Sequence, residues 1–356
     1  MAGELPDYGK PDRLYDIGDL LQGYDPSDEL AFVKSWDFGA YRRYITDGSA
    51  TPRTLDIRLA QAEHDARIAE ALKAFLARPT EPTLVGVMGG HSLSRLHPAY
   101  KAVAELGRYL TKRGYLLVTG GGPGAMEAAH VGATFAYADD ATFARALTAL
   151  GEEPSLPKGL GNILTKSGDL APGYEESADG ARKWLNMGLE VRDSAPKERG
   201  ESLAIPTWFY GSEPSTPFAS AYAKYFQNSI REEALIAQSR AGIVYAQGGG
   251  GTLREIFQDV ELNFYASTPD DFIPMIFFDP DDFWQRDAEF DVSGVTRPGI
   301  DVRDILERIF RYGRRDTAQI LKKVRFTTEF DEIAAVIDTR ARKAQRELAA
   351  VLNAPA

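Results

Sequence analysis

Two glycine-rich runs carry the clearest chemical signal in the sequence: Gly120-Gly121-Gly122-Pro123-Gly124 and Gly248-Gly249-Gly250-Gly251-Thr252. Each lies between a short apolar run that reads as a strand and a periodic stretch that reads as a helix. A loop in that position leaves backbone N–H groups unpaired at the positive end of the helix dipole, and together these suit a phosphate. Glycine lets the anion come close to the main chain. One such loop is a weak signal, because tight strand-to-helix packing uses glycine too. Two in one parallel sheet say more, since strand ends on one edge of an open sheet form its ligand crevice. The candidate phosphate- and substrate-binding residues of the first loop are Gly120, Gly121, Gly122 and Gly124, with Met126 just inside the helix. Those of the second are Gly248, Gly249, Gly250, Gly251 and Thr252. A shorter turn, Gly89-Gly90-His91-Ser92, adds Gly89 and Ser92.

Two charged residues could do chemistry beside these loops. Glu255 falls three residues after Thr252, at the start of the helix opened by the second loop. A carboxylate there could hold ribose hydroxyls, or serve as general base or charge stabiliser in breaking an N-glycosidic bond. It could equally be an acidic residue favouring the helix dipole. Arg231 lies on the helix that feeds the second loop's strand, and a guanidinium is a natural partner for phosphate or ribose oxygens. Its competing role is an ion pair with Glu232, Glu233 or a neighbour. Gly120-x-Gly122-x-x-Ala125 also fits the dinucleotide fingerprint, with Asp139 and Asp140 near the distance expected of a ribose-binding acid. No strand pattern precedes that acidic pair. A G-x-x-x-x-G-K-S/T phosphate loop does not occur.

The elements that must position these groups read as strand, glycine turn, helix, repeated from Thr83 onward, the grammar of parallel βαβ units. Leu84 to Met88, Tyr115 to Thr119, Leu203 to Phe209, Gly242 to Ala246 and Phe272 to Phe278 are predicted strands, with Pro206 implying an edge or a bulge. Helices are predicted from about Pro98 to Arg113, Ala125 to Phe135, Pro217 to Ser239, Leu253 to Tyr265 and Asp331 to Leu352, with a last strand at Val324-Arg325-Phe326. Residues 151–200 break the rhythm with glycine, proline and charge, and long loops of that kind are usually functional lids or mobile segments. Residues 1–80 form an arm ending in an amphipathic helix from Thr54 to Leu76. The expected architecture is α/β: a Rossmann-like, doubly wound parallel sheet over 81–356, with an insert at about 151–200 and an N-terminal helical arm.

Composition narrows the function classes. The 356-residue chain is 44% hydrophobic and 26% charged, a soluble globular balance, and no apolar run approaches the ~18 residues of a membrane span. Its start is polar and acidic, without a secretory pattern, so a cytoplasmic location is expected. With no cysteine, disulfides, thiolate metal sites and cysteine nucleophiles are excluded. The four histidines show no metal-ligand spacing, so no metal is expected. The net charge of -11 opposes nucleic acid and anionic membranes as partners, and any anionic ligand must be held locally.

Taken together, GGGPGAMEAAH from Gly120 to His130, an arginine on the helix at Arg231, and GGGGTLRE from Gly248 to Glu255 resemble the Lonely Guy (LOG) family of Rossmann-like nucleotide phosphoribohydrolases and the related bacterial nucleotide 5′-monophosphate nucleosidases. The resemblance covers roughly residues 83–280. It implies cofactor-free hydrolysis of a nucleoside 5′-monophosphate to free base and ribose 5-phosphate, and a homodimer or higher homo-oligomer. The family's catalytic arginine and glutamate fall on Arg231 and Glu255. Gln247 stands where the family motif has proline, and the residues flanking Arg231 differ from the family pattern. The alternative function is a non-catalytic nucleotide sensor, using the same crevice for binding and the 151–200 insert as a switch.

Overall fold

The computed structural model describes residues 6–77, 83–285, 289–292, 295–298 and 300–352. The arm carries α1 (Ile17–Leu20), α2 (Ala31–Lys34), α3 (Trp36–Thr46) and α4 (Leu55–Leu76). Then follow β1 (Thr83–Met88), α5 (Pro98–Lys112), β2 (Tyr115–Thr119), α6 (Ala125–Thr134), α7 (Asp140–Leu150), α8 (Tyr174–Asp193), β3 (Ser202–Ala204), β4 (Ala221–Tyr222), α9 (Asn228–Gln238) and β5 (Ile243–Tyr245). The chain continues through α10 (Gly250–Phe264), β6 (Met275–Phe278), a hairpin of β7 (Glu289–Val292) and β8 (Val295–Pro298), α11 (Arg303–Gly313), α12 (Thr317–Ile320), β9 (Val324–Thr327) and α13 (Phe330–Leu352).

Seven strands form one sheet in the order β4-β3-β2-β1-β5-β6-β9, every neighbouring pair parallel. Its strands read as near-continuous apolar runs because both faces are covered. In β1 the alternation is visible: Val85 and Val87 pack among α5, α6 and α13, while Leu84 and Met88 pack among α4, α9 and α10. The fold is thus α/β, a Rossmann-like doubly wound parallel sheet. The strand order reverses between β1 and β5, which puts a topological switch point between the two strands that lead into Gly89 and Gln247. No helix among the described residues is long and apolar enough to cross a membrane.

Three expectations are corrected. The helix expected from Pro217 to Ser239 begins only at Asn228, because Ala221–Phe226 is buried without a break and its first residues pair as β4. The strand expected from Leu203 to Phe209 stops at Ala204, and it lies inside the sheet between β2 and β4. Pro206 follows two residues later, where the missing N–H no longer costs a ladder bond. The 151–200 insert is not a long loop: it contains the 20-residue α8, whose Ala178, Ala181, Trp184, Leu185, Gly188 and Val191 are buried at helical spacing. The Arg95 guanidinium stacks 4.1 Å from the Trp184 ring and donates to the Trp184 and Glu153 carbonyls. It also pairs with buried Glu127 of α6 at 2.7 Å, which ties the insert to the helix behind the first glycine loop.

The arm is packed against the sheet and the insert. Tyr15 and Tyr222 exchange backbone hydrogen bonds of 3.0 and 2.9 Å, an antiparallel bridge that covers the edge of the two-residue β4. Helix α4 matches the sequence expectation in extent, and its buried face includes polar residues. Leu55 and Leu59 are exposed, whereas Gln61, His64 and Asp65 are buried with Ile68 and Leu72.

Candidate functional site

The C-terminal ends of the strands open into a cleft of about 780 Å³. Its floor comes from the turns after β1, β2 and β5, which are hydrogen-bonded to one another: Gly90 N–H donates to Gln247 C=O at 2.9 Å, and Ala125 N–H to Gly90 C=O at 3.1 Å. Gly124 has φ +69°, and a Cβ there would sit 2.3 Å from the Gly90 oxygen, so only glycine closes this junction. Both helices that start here, α6 after Gly124 and α10 after Gly249, lack a side-chain cap. Ala125 N–H is taken by Gly90, and no side chain caps the N–H groups that follow it in α6 or those that open α10. Gly249, Gly250 and Gly251 border open space, and Thr252 is buried behind them. Gly89, Ser92, Gly120, Gly121, Gly122, Met126 and Gly248 line the same cleft, while Gly124 lies beneath it.

Arg231 and Glu255 meet in this cleft. Arg231 is buried on α9 and its Nε donates to the Ile205 carbonyl at 2.8 Å, which fixes the guanidinium across the end of β3. Its Nη2 lies where Gly120 leaves room, since a Cβ on Gly120 would come within 2.2 Å of it. Its Nη1 stands 3.7 Å from Glu255 Oε1, an ion-pair distance too long for a hydrogen bond. Glu255 occupies the second turn of α10 and is buried. Burial pushes its carboxyl up to about 7, with Arg231 opposing the rise and Glu232 adding to it. The first turn of α10 holds no acidic residue, so Glu255 is not in position to favour its dipole there; Glu232 pairs with Arg254 at 2.7 Å, and the ion pair that Arg231 makes is with Glu255. One turn further, burial pushes Asp259 up to about 8, against a 2.8 Å hydrogen bond donated by Tyr245 Oη.

Several cleft residues gave no sequence signal. His91 Nδ1 lies 2.6 Å from Glu213, whose hydrogen bond raises the imidazole pKa above its ordinary value, and this pair links the first turn to the loop after β3. Buried Lys224 reaches Asp37 of the arm at 2.7 Å and Ser215 Oγ at 3.1 Å, with all but Asp37 lining the cleft. Asp65, also from the arm, accepts the Phe226 and Gln227 N–H groups at 2.9 Å each, at the entry to the helix that carries Arg231. His130 is buried between Thr119 Oγ1 and Ser202 Oγ, 2.8 Å from each, and burial pushes its pKa down to about 3. Thr119 Oγ1 accepts the Gly121 N–H at 2.8 Å, so a neutral histidine braces the first glycine loop. The acids of the dinucleotide fingerprint serve elsewhere. Asp139 caps α7 through Thr142 N–H at 2.7 Å, and Asp140 pairs with Arg108. Among the described residues no cluster of His, Asp or Glu could hold a metal ion.

Residues 82–138 match the SLOG cluster4 family, a stretch that runs from β1 through the first glycine loop and α6. No curated protein matches the chain. The similarity is to a nucleotide-related SLOG-superfamily segment and does not single out the Lonely Guy family within it.

Proposed function

We propose that this protein hydrolyses the N-glycosidic bond of a nucleoside 5′-monophosphate, releasing free base and ribose 5-phosphate. The observation that carries the reading is the buried Arg231–Glu255 pair, 3.7 Å apart, set beside two uncapped helix starts that share one cleft. The 5′-phosphate rests on the N–H groups of the Gly248–Thr252 loop, within reach of the first loop. Arg231 has its Nε committed to Ile205 and its terminal nitrogens directed toward phosphate or ribose oxygens. Glu255, pushed up to about 7, can hold either protonation state near neutrality. As the carboxylate it takes a proton from the water that attacks C1′, and its charge supports the oxocarbenium-like transition state. The C–N electron pair leaves with the base, which is protonated in turn, so water is split between the two products.

The test is incubation with AMP, CMP, IMP and UMP and measurement of ribose 5-phosphate. Release by the native protein and none by Glu255→Gln is expected. If neither protein releases it although nucleotide binds, hydrolysis is excluded and the non-catalytic sensor becomes the correct reading.

A further inference from the structure

The direction of the cleft indicates where the base of such a nucleotide would lie. The Gly89 turn and the second glycine loop meet at the switch point between β1 and β5, and Arg231 lies one and two strands away, against Gly120 of the first glycine loop after β2 and Ile205 after β3. A nucleotide with its phosphate at the first place and its ribose at the second continues toward the ends of β3 and β4. There the cleft is lined by Thr207, Ser215 and Lys224.

Both hydroxyls of this wall accept one bond and have a proton still to place. Lys224 Nζ can only donate, so Ser215 Oγ, 3.1 Å away, is the acceptor of that bond and its own proton is directed elsewhere. Thr207 Oγ1 likewise accepts, from the Phe209 N–H at 3.1 Å. No described residue takes the proton of either hydroxyl. The nearby carboxylates are occupied: Asp37 accepts from Lys224 and, at 2.8 Å, from Trp208 Nε1, and Glu213 is held by His91. The Lys224–Asp37 pair is also electrically balanced, so the wall has no spare positive charge for a second phosphate.

We propose that Ser215, held by the Lys224–Asp37 pair, and Thr207, held by the Phe209 N–H, form a base-recognition wall that presents hydrogen-bond donors and so selects nucleobases bearing a carbonyl on the edge they offer. The proposal rests on the nucleotide reading above and adds its substrate class: keto bases, such as uracil and hypoxanthine, over their amino counterparts cytosine and adenine. Ser215 and Thr207 then determine specificity and take no part in bond cleavage. The arm contributes through Asp37, which holds Lys224 in place and opposes the lowering that burial imposes on its ammonium group.

Two matched pairs, UMP against CMP and IMP against AMP, test this by kcat/KM and by calorimetric binding. An unmade hydrogen bond to a buried donor is worth about tenfold or more, so the keto member of each pair is expected to lead by at least that factor. Ser215→Ala should collapse the ratio by slowing the keto members alone, and Ser215→Thr, which keeps the hydroxyl, should retain it. Turnover without a keto preference, or a preference that survives Ser215→Ala, overturns the wall while leaving the hydrolase. A keto preference in binding without turnover keeps the wall and removes the hydrolase. Failure of all four nucleotides to bind removes both.

Discussion

Replacing Glu255 with glutamine separates two consequences of its burial that can be measured without any substrate. The carboxyl has an ordinary value of 4.5 and is pushed up to about 7 in the folded protein. A carboxyl raised on folding acts opposite to the usual salt-bridged acid. Below 4.5 it is protonated in both states and imposes no electrostatic cost. Between 4.5 and about 7 the unfolded chain has lost a proton that the folded chain keeps, so stability falls as pH rises, by about 1.4 kcal/mol per pH unit. Above the folded value the loss levels off at about 3 kcal/mol. A glutamine at this position never ionises. Arg231 loses its counter-charge in the variant at every pH, but the native protein at low pH has lost it too, so that cost cancels in the comparison. Glu255→Gln should therefore gain about 2–3 kcal/mol relative to the native protein between pH 5 and pH 8.5. Urea unfolding at the two pH values reads this directly. A difference between the two proteins that is the same at both pH values would refute the claim that burial sets this carboxyl's titration.

Gly120→Ala places a methyl within 2.2 Å of Arg231 Nη2 and 2.8 Å of Met126 Sδ; if Arg231 acts as proposed, nucleotide hydrolysis should fall at least about a hundredfold with the far-UV spectrum unchanged, as loss of an oriented catalytic group does. At Gly251 nothing lies within 4 Å of an added Cβ, so Gly251→Ala should fold and gain up to about 1 kcal/mol of helix propensity, yet bind nucleotide at least tenfold more weakly by calorimetry, because the methyl stands where the phosphate approaches. Asp65→Ala orphans the N–H groups of Phe226 and Gln227, and should cost about 1–3 kcal/mol in urea unfolding and lower kcat/KM through the displaced start of α9. In an NMR titration His91 should protonate above its ordinary value of 6.5 and return toward it in Glu213→Gln, whereas His130, pushed down to about 3, should stay neutral at pH 5.

The parts of this molecule that were legible in the sequence are those whose determinants are local. A glycine loop, the strand before it and the helix after it lie within about two dozen residues, and the burial pattern of β1, β2 and β5 follows from their apolar runs. Arg231 and Glu255 belong to this class because α9 and α10 flank a single strand, β5. Long-range partners left no local trace. Asp37 reaches Lys224 across 187 positions and Asp65 reaches Phe226 across 161. Helix α4 was legible as a helix, but its packed face includes Gln61, His64 and Asp65, whose burial depends on partners that a hydropathy pattern does not reveal. The segment ending at Phe226 misled for a different reason: Ala221 to Phe226 is buried at every position, a pattern that fits a helix as well as a strand, and only pairing with β3 decides.

The arm bears on function because the segment carrying Lys224 and leading to Arg231 is the edge of the sheet, paired with the β3 segment on one side and with the arm on the other. Strand β4 is two residues long, and without Tyr15 it would present an open edge. After it the chain must turn into α9 with Gln227 as a cap that offers no side-chain hydrogen bond, and the carboxylate that receives the exposed N–H groups is Asp65 of the arm. The orientation of Arg231 thus depends on an element that neither the sheet nor the glycine loops supply. The match at residues 82–138 contains the first phosphate-type loop but none of the arm, α9 or α10. Anion binding at a helix start can be shared wherever that loop occurs, since it uses backbone groups alone. On the proposed reading, what is done to a nucleotide in this cleft is set by side chains from the other segments, so that reading stands on how Asp65, Arg231 and Glu255 are held together.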